Sequence, residues 1–249
     1  MSSDKFTITP IKLGEGKRPK SLYTYLSFYD DDTTVFYGIF LVRNKDYTII
    51  IDTGTDLESY SRSSGFEFHQ IDNLFESFIK YDYSLDKVDL IIKTHLHYDH
   101  CSLMPQFKGI RKYLQRKELE YAINPHPLMR SSYVRSYFEN EEFKLIDGDC
   151  SILPGLDIVF VPGHSPGCQA VLIDTKEGKA ALTGFCCISD NFTSKAGFII
   201  PAYHENPIDA YNSTRRLMEL ADFICPNHSA QLIGNGGSGK NRKMLRGAH

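Results

Sequence analysis

At 249 residues, 41% hydrophobic and 24% charged, the chain has the balance of an ordinary globular protein and the length for one large domain or two small ones. A net charge of −3 with no basic stripe argues against a nucleic-acid partner. Met1 to Lys5 carry no apolar run with a cleavage site, and nothing approaches the roughly 18 apolar residues of a spanning helix. The expectation is a cytoplasmic protein with no membrane contact.

Tyr47 to Asp52 (YTIIID) is a β-branched run that stops at Thr53-Gly54, a strand ending in a turn. Phe68, Ile71, Leu74, Phe75, Phe78 and Ile79 recur at three and four residues and predict a helix with one apolar stripe. Val88 to Thr94 (VDLIIKT) predicts a second strand, whose end runs into a histidine cluster. Gln115 to Ala122 (QRKELEYA) reads, on composition, as an ordinary solvated helix. Leu156 to Val161 predicts a third strand, ending at Pro162-Gly163-His164. Ala170 to Asp174 and Ala180 to Thr183 flank a hairpin turn at Lys176-Glu177-Gly178-Lys179, which argues for mixed or antiparallel pairing. Asn206-Pro207 has the form of an N-cap with proline at the first helical position, and predicts a helix to about Ala221. Asp222 to Cys225 is a short apolar run before Pro226-Asn227-His228. Residues 1–233 are expected to form a single domain. The glycine-rich stretch 234–249, basic at its end, is expected to be a poorly ordered or loosely docked tail.

An apolar strand followed by a histidine-bearing loop recurs along the chain, which places several histidines at one rim of a sheet system. The densest case is Thr94-His95-Leu96-His97-Tyr98-Asp99-His100, three imidazoles and a carboxylate directly after a strand. On extended backbone His95 and His97 project to the same side, and Asp99 and His100 leave the following turn from another direction. Such nitrogen and oxygen donors suit zinc, and also iron, manganese and nickel. A solvated histidine-rich loop is the competing reading, and four donors at one strand end argue against it. The cysteines at positions 101, 150, 168, 186, 187 and 225 show no CxxC spacing and read as thiols, with Cys150, Cys168 and Cys225 as small buried hydrophobes.

The run His95-x-His97-x-Asp99-His100 resembles the HxHxDH signature of the metallo-β-lactamase superfamily. Asp52-Thr53-Gly54 upstream, Pro162-Gly163-His164-Ser165-Pro166-Gly167 downstream and the late His228 follow in that family's order, so the resemblance spans about residues 30 to 235. It implies an α/β fold, a four-layer αββα sandwich with metals at one edge between two sheets. It implies His95, His97 and His164 as ligands of a first metal, and Asp99, His100 and His228 of a second. Zinc is the expected ion, one or two per chain, with iron or manganese as alternatives. Asp52 resembles the family's buried acid that orients ligands. His69, His126, His204 and His249 match no motif and are left as structural or exposed.

One position departs from the family pattern. Two-metal members carry a Gly-Asp pair after the strand near 180 to 183, whose carboxylate bridges the ions. This chain has Gly184-Phe185-Cys186-Cys187. Three arrangements stay open: a thiolate ligand, Cys186 before Cys187; two metals with three protein ligands each and only hydroxide between them; or a weak second site leaving one metal. Cys101 reads as a small residue packed under the loop.

A metal held by three protein ligands and a water lowers that water's pKa to about 7, giving hydroxide at neutral pH. Asp99 is the expected catalytic residue, holding the second metal and passing a proton to the leaving group. QRKELEYA and PGHSPG resemble the N-acyl homoserine lactonase-like branch. That resemblance implies a hydrolase that opens a lactone, or cleaves a related ester or amide, of a small metabolite. Phe185, and Ile188 where a tyrosine is expected, depart from that branch. The alternatives are a glyoxalase II-like thioesterase, a diiron oxidoreductase of this fold, and a non-catalytic metal- or ligand-binding protein with a degenerate site. The thioesterase would call for a basic patch that the sequence does not clearly show. The oxidoreductase would call for a glutamate in the first motif and a flavin domain.

Overall fold

The β-branched runs pair into two seven-stranded sheets that divide the chain in sequence order. The computed structural model describes residues 5–64, 66–71, 73–193, 197–229, 232–234 and 244–245. The first sheet contains β1 (Thr7–Pro19), β2 (Asp32–Arg43), β3 (Thr48–Ile51), β4 (His69–Gln70), β5 (Leu90–Ile92), β6 (Arg111–Gln115) and β7 (Phe143–Ile146). Their spatial order is β4-β1-β2-β3-β5-β6-β7. The second contains β8 (Cys150–Leu153), β9 (Leu156–Phe160), β10 (Gln169–Thr175), β11 (Gly178–Leu182), β12 (Phe223–Cys225), β13 (Leu232–Gly234) and β14 (Met244–Leu245), in reverse spatial order. Among the described residues five α-helices accompany them: α1 (Leu57–Ser64), α2 (Leu74–Lys80), α3 (Tyr98–Cys101), α4 (Arg116–Ile123) and α5 (Pro207–Leu220).

Strand periodicity decides the layering. Ile49, Ile51, Leu90 and Ile92 face the second sheet and meet Leu156, Ile158, Val171, Ile173 and Leu182. Ile50 and Ile91, one residue out of phase, face the other way and pack with Leu74 and Phe78 of α2. On the second sheet Ala170 and Leu172 turn outward into the cluster that holds Leu217 of α5. Strands apolar on both faces need cover on both faces, and the result is the expected four-layer αββα sandwich.

Pairing is mixed. β3, β5, β6 and β7 run parallel, whereas β1, β2 and β3 are antiparallel neighbours. β10 and β11 form the expected hairpin, with a turn of only Lys176-Glu177, because Thr175 already pairs with Gly178. The stripe predicted over Phe68 to Ile79 is corrected. His69–Gln70 is the short strand β4, and the helix begins only at Leu74. Asn73 sets that start: its side chain accepts from the Glu76 N–H (2.9 Å) and Glu76 reciprocates, a capping box. Leu74 and Phe78 are buried, while Ile71, Phe75 and Ile79 face solvent. β14 pairs antiparallel with β13, and residues 235–243 and 246–249 of the expected tail lie outside the described residues. No helix among the described residues is long and apolar enough to cross a membrane.

The loops that leave β3, β5, β9, β11 and β12 meet at one rim, stitched by main-chain bonds. Thr53 N–H donates to His100 O (3.0 Å), Gln169 N–H to Thr94 O (3.0 Å), and His228 N–H to Cys187 O (3.0 Å). β5 stops short of its predicted end because Thr94 gives its N–H to the Asp52 carboxylate rather than to a neighbouring strand.

Candidate metal centre

The loop rim gathers all six sequence-predicted donors. His95, His97 and His164 form one set, and Asp99, His100 and His228 a second, each with its ligand-type atoms within 4.8 Å of one another. The Nε2 atoms of His95 and His164 lie 3.2 Å apart. Asp99 Oδ2 is 3.5 Å from the Nε2 atoms of both His100 and His228. The sets adjoin: the ring centroids of His95 and His100 are 4.2 Å apart. All five imidazoles are buried, and Asp99 is partly exposed.

Hydrogen bonds on the far side of the rings settle which nitrogen faces inward. His164 Nδ1–H donates to Tyr203 O (2.7 Å) and His228 Nδ1–H to Phe36 O (3.1 Å). A carbonyl only accepts, so the Nε2 atoms of these rings carry lone pairs. The Thr94 hydroxyl donates to Asp52 Oδ2 (2.7 Å), and is left to accept from His95 Nδ1–H (2.9 Å). His100 Nδ1 is anchored on Asp52 Oδ2 at 2.8 Å. The Nε2 atoms of His97, His100 and His228 are buried with no hydrogen-bond partner among the described residues. Buried polar atoms are rarely left unpaired, and a convergent group of imidazole lone pairs beside a carboxylate is what a divalent transition-metal ion requires. The residues fit the implied metal.

Electrostatics keep four of the five imidazoles in ligand form. Burial first, then the neighbouring imidazoles, pulls His95 and His97 well below the usual histidine range. Burial likewise lowers His164 and His228 to about 4 each, against the pull of Asp99. His100 behaves differently: burial opposes its charge, but Asp99 and Asp52 outweigh burial and its pKa is raised. Asp52 is also fully buried, which alone would raise it, yet Lys93, His100 and the bonds from Thr94 bring it down to about 2. Asp52 therefore stays a carboxylate and orients both sets, in keeping with its expected role. It does so from left-handed backbone, φ +61°, at the end of β3.

Two buried charges support the rim without having been singled out by the sequence. Lys93 is fully buried, its Nζ 3.3 Å from Asp52 Oδ1 and 3.2 Å from Thr53 Oγ1, and it also donates to His100 O. Glu118, at the start of α4, is fully buried as well. Its carboxylate accepts from Ser165 Oγ (2.6 Å), Gly167 N–H (3.1 Å), Leu96 N–H (3.0 Å) and Tyr133 OH (3.2 Å). It thereby ties the loop of His95 and His97 to the loop of His164. Burial raises its pKa and the four donors oppose the rise. A side chain at Gly167 would collide with the Glu118 backbone, so that closeness needs glycine. The solvated reading of α4 is corrected on this face, where Glu118 and Ala122, spaced i and i+4, are buried.

The departure at 184–187 is structural. Phe185 is buried in the outer core with Val159 and Leu172, so nothing there bridges the sets. The Cys187 thiol lies 3.1 Å from Thr183 Oγ1, and among the described residues no cysteine belongs to either set. Cys186 lines the cavity beside Asp99. Cys101 is buried and donates to Leu96 O, as expected of a packing residue. Ile188 is buried too, but Tyr203 enters from a different loop, its ring centroid 5.7 Å from those of His97 and His164 and its hydroxyl 2.5 Å from Ser132 Oγ. His69, His126 and His204 join neither set, and His249 lies outside the described residues.

The donors open onto a cavity of about 260 Å³, lined by His97, Asp99 and His164 together with Tyr23, Tyr37 and Tyr60. A larger concavity of about 940 Å³, lined by Lys108, Arg111, Glu141 and Lys144 among others, contains none of the donors.

Comparison with known proteins agrees with this geometry. A family model described as the metallo-beta-lactamase superfamily matches residues 38–184, more than half of the chain. The N-acyl homoserine lactonase AiiA of Bacillus thuringiensis subsp. kurstaki is 25% identical over 194 residues, 73% of this chain and 74% of that protein. A quorum-quenching N-acyl homoserine lactone lactonase has a similar structure, with a TM-score of 0.72 at 24% identity over 92% of this chain and 93% of that one. AidC, a dizinc quorum-quenching lactonase, gives a TM-score of 0.70 at 14% identity over 100% of this chain and 97% of that one. At such identities the two structural likenesses establish the fold.

Proposed function

The chain belongs to the metallo-β-lactamase superfamily, and from that premise we propose that it is a metal-dependent hydrolase that opens a lactone, or cleaves a related ester or amide, of a small metabolite. The observation that carries the reading is the convergence of buried Nε2 atoms, unpartnered among the described residues, beside Asp99 on a cavity that His97, Asp99 and His164 line. His95, His97 and His164 would hold one zinc ion, and Asp99, His100 and His228 a second, with three protein ligands each. When bound, such ions polarise a carbonyl and bring the pKa of a water to about 7.

The chain's own residues do the remaining work. Asp52 and Thr94 fix His95 and His100 so that no ring must reorient when substrate arrives. Glu118 holds the two ligand loops at a constant separation. Asp99 reaches the cavity with a carboxylate that can take the proton of the attacking water and return it to the leaving oxygen. The ring of Tyr203 beside His97 and His164, with the tyrosine walls, excludes bulk water from the reacting ester. The name of the AiiA relative favours a lactone over a thioester.

The test is metal content by elemental analysis of protein purified without chelator, alongside turnover of a panel of lactones, esters and thioesters. About two zinc ions per chain with lactone turnover supports the reading. One ion or none, with no turnover across the panel, overturns it.

A further inference from the structure

We propose that Arg18 is an anion receptor within this cavity, so that the substrate class is a lactone or ester whose non-reacting end carries a free carboxylate or phosphate. The substrate class rests on the hydrolase reading above; the anion receptor rests on Arg18 alone.

Arg18 lies near the end of β1, paired with Thr33 of β2, and is 2% exposed. Its Nη1 donates to Lys17 O at 2.8 Å. Its Nε and Nη2 are buried and have no hydrogen-bond partner among the described residues. No described carboxylate pairs with it, and Asp99, the carboxylate that shares its cavity, is turned to His100 and His228. A buried guanidinium without a counter-charge is costly, and removing the partner of a buried ion pair costs several kcal/mol. Among the described residues the charge has no counterpart, which leaves a ligand to bring one.

The geometry defines that ligand. Nε–H and Nη2–H lie on the same edge of the guanidinium plane, the fork that takes two oxygens of a carboxylate or phosphate side by side. The flat faces are already covered: the guanidinium carbon sits 4.0 Å from the Phe66 ring centroid and 4.1 Å from that of Phe68. The two rings pack on the guanidinium, and Nε and Nη2 are the part of it left without a partner among the described residues. The backbone is cut to allow it. A side chain at Gly16, two residues back on the same strand face, would collide with the Phe68 ring and the Glu67 carbonyl. Arg18 lines the same cavity as His97, Asp99 and His164, with Tyr23 and Tyr37 beside it. A molecule in this cavity that touches both Arg18 and the donors thus needs an anion for the one and a hydrolysable group for the other, joined by a spacer that the tyrosine rings can line. About 260 Å³ restricts it to a small metabolite.

The test compares N-succinyl homoserine lactone with its methyl ester, which share ring and spacer and differ in charge, on zinc-loaded wild type, Arg18→Met and Arg18→Lys. Wild type should favour the acid by about tenfold or more in kcat/KM, equivalent to at least one well-made charged contact. Arg18→Met should bring the acid-to-ester ratio close to one. Arg18→Lys, which keeps the charge but not the fork, should fall between them and covers the case in which the methionine variant does not fold. A purely structural Arg18 would lower both rates together and leave the ratio alone; that result, or a wild type indifferent to the charge, overturns the proposal. Calorimetry with monomethyl succinate and with methyl phosphate separates the two anions and does not depend on turnover. Binding of either probe that is lost in Arg18→Met supports the receptor even if no lactone is hydrolysed, in which case only the hydrolase reading falls. Binding of neither, or binding independent of Arg18, removes the receptor.

Discussion

The two donor sets differ in how they are supported. His95, His97 and His164 are all neutral, buried rings, with His95 and His164 fixed by Thr94 and by the Tyr203 carbonyl. Asp99, His100 and His228 include a carboxylate that reaches the cavity, its side chain 13% exposed, and a ring anchored on the Asp52–Lys93 charge pair. A bridging carboxylate would make the second set share the rigidity of the first. With Phe185 in the outer core, no carboxylate at that position joins the sets, and what they share is the support of Asp52 behind the rings. The lesson is that two donor sets can persist without the carboxylate that would couple them, and under the proposed two-metal reading the pockets should then release their ions separately.

Chelator titration carries the largest expected effect. Zinc should leave in two steps, one equivalent well before the other, with the set of Asp99, His100 and His228 emptied first and all turnover gone once both are empty. His228→Ala should remove the early step alone, and His164→Ala the late one. Release of both ions in a single step, read by a zinc indicator during titration, would break the comparison.

Next in size is Phe185→Asp, which returns the family's residue to its usual place. Because Phe185 is buried among Val159, Leu172 and Leu217, the new carboxylate should meet an apolar core, costing about 3–5 kcal/mol for the lost ring alone and more for the charge. A large drop in Tm with unchanged two-step zinc release is the expected result. A single-step release with Tm preserved would mean that the loop can swing and rebuild the bridge.

Asp52→Asn is smaller and acts on both sets unequally. Asn keeps the size of the side chain but removes the charge that Lys93 and His100 face, and one oxygen that accepts from Thr94 or His100 becomes an amide donor. Loss of such an orienting partner typically lowers metal affinity 10- to 100-fold. The drop should be larger for the early-releasing ion, whose ligand His100 touches Asp52 directly, than for the late one, which feels it through Thr94. Equal weakening in competition with a calibrated chelator would count against the direct route.

These supports also mark what the sequence could and could not show. His95, His97, Asp99 and His100 were legible as candidate donors because a metal site calls for particular residue types at particular spacing, and His164 and His228 because they close strands in the family's order. Lys93 and Glu118 were not: each sits in a run whose composition suits a solvated face or an apolar strand, and only tertiary partners supplied by Asp52, Ser165 and Gly167 make burying them tolerable. Arg18 had a faint signature, the Gly14-x-Gly16-x-Arg18 alternation on one strand face, but it gains meaning only once Phe68 fills the space above Gly16. In the fold, β-branched runs were reliable because both faces of these strands are covered. The stripe from Phe68 to Ile79 misled because apolar spacing continued across Asn73, where the capping box begins the helix afresh.

The smallest effect lies outside the centre and sharpens the comparison by leaving it untouched. Asp149 accepts a forked pair of bonds from Arg216 of α5 and one from Phe160 N–H at 3.0 Å, fastening the helix to the edge of the second sheet. Partial burial would raise the Asp149 pKa, but Arg216 and the Phe160 bond outweigh burial and lower it. A carboxyl depressed on folding adds stability that is fully present above its unfolded pKa, near 4, and lost as pH falls through the folded value. Both partners are about half exposed, so solvent screening holds the contribution below about 1 kcal/mol. Asp149→Asn should therefore lower Tm slightly at pH 7 and merge with wild type at the acid end of a pH series. Both zinc-release steps should stay where they were, since neither set depends on how α5 is clipped to β9. A shift in either step would show that the helix side of the sandwich transmits to the rim, and the independence of the two pockets would then have to include α5.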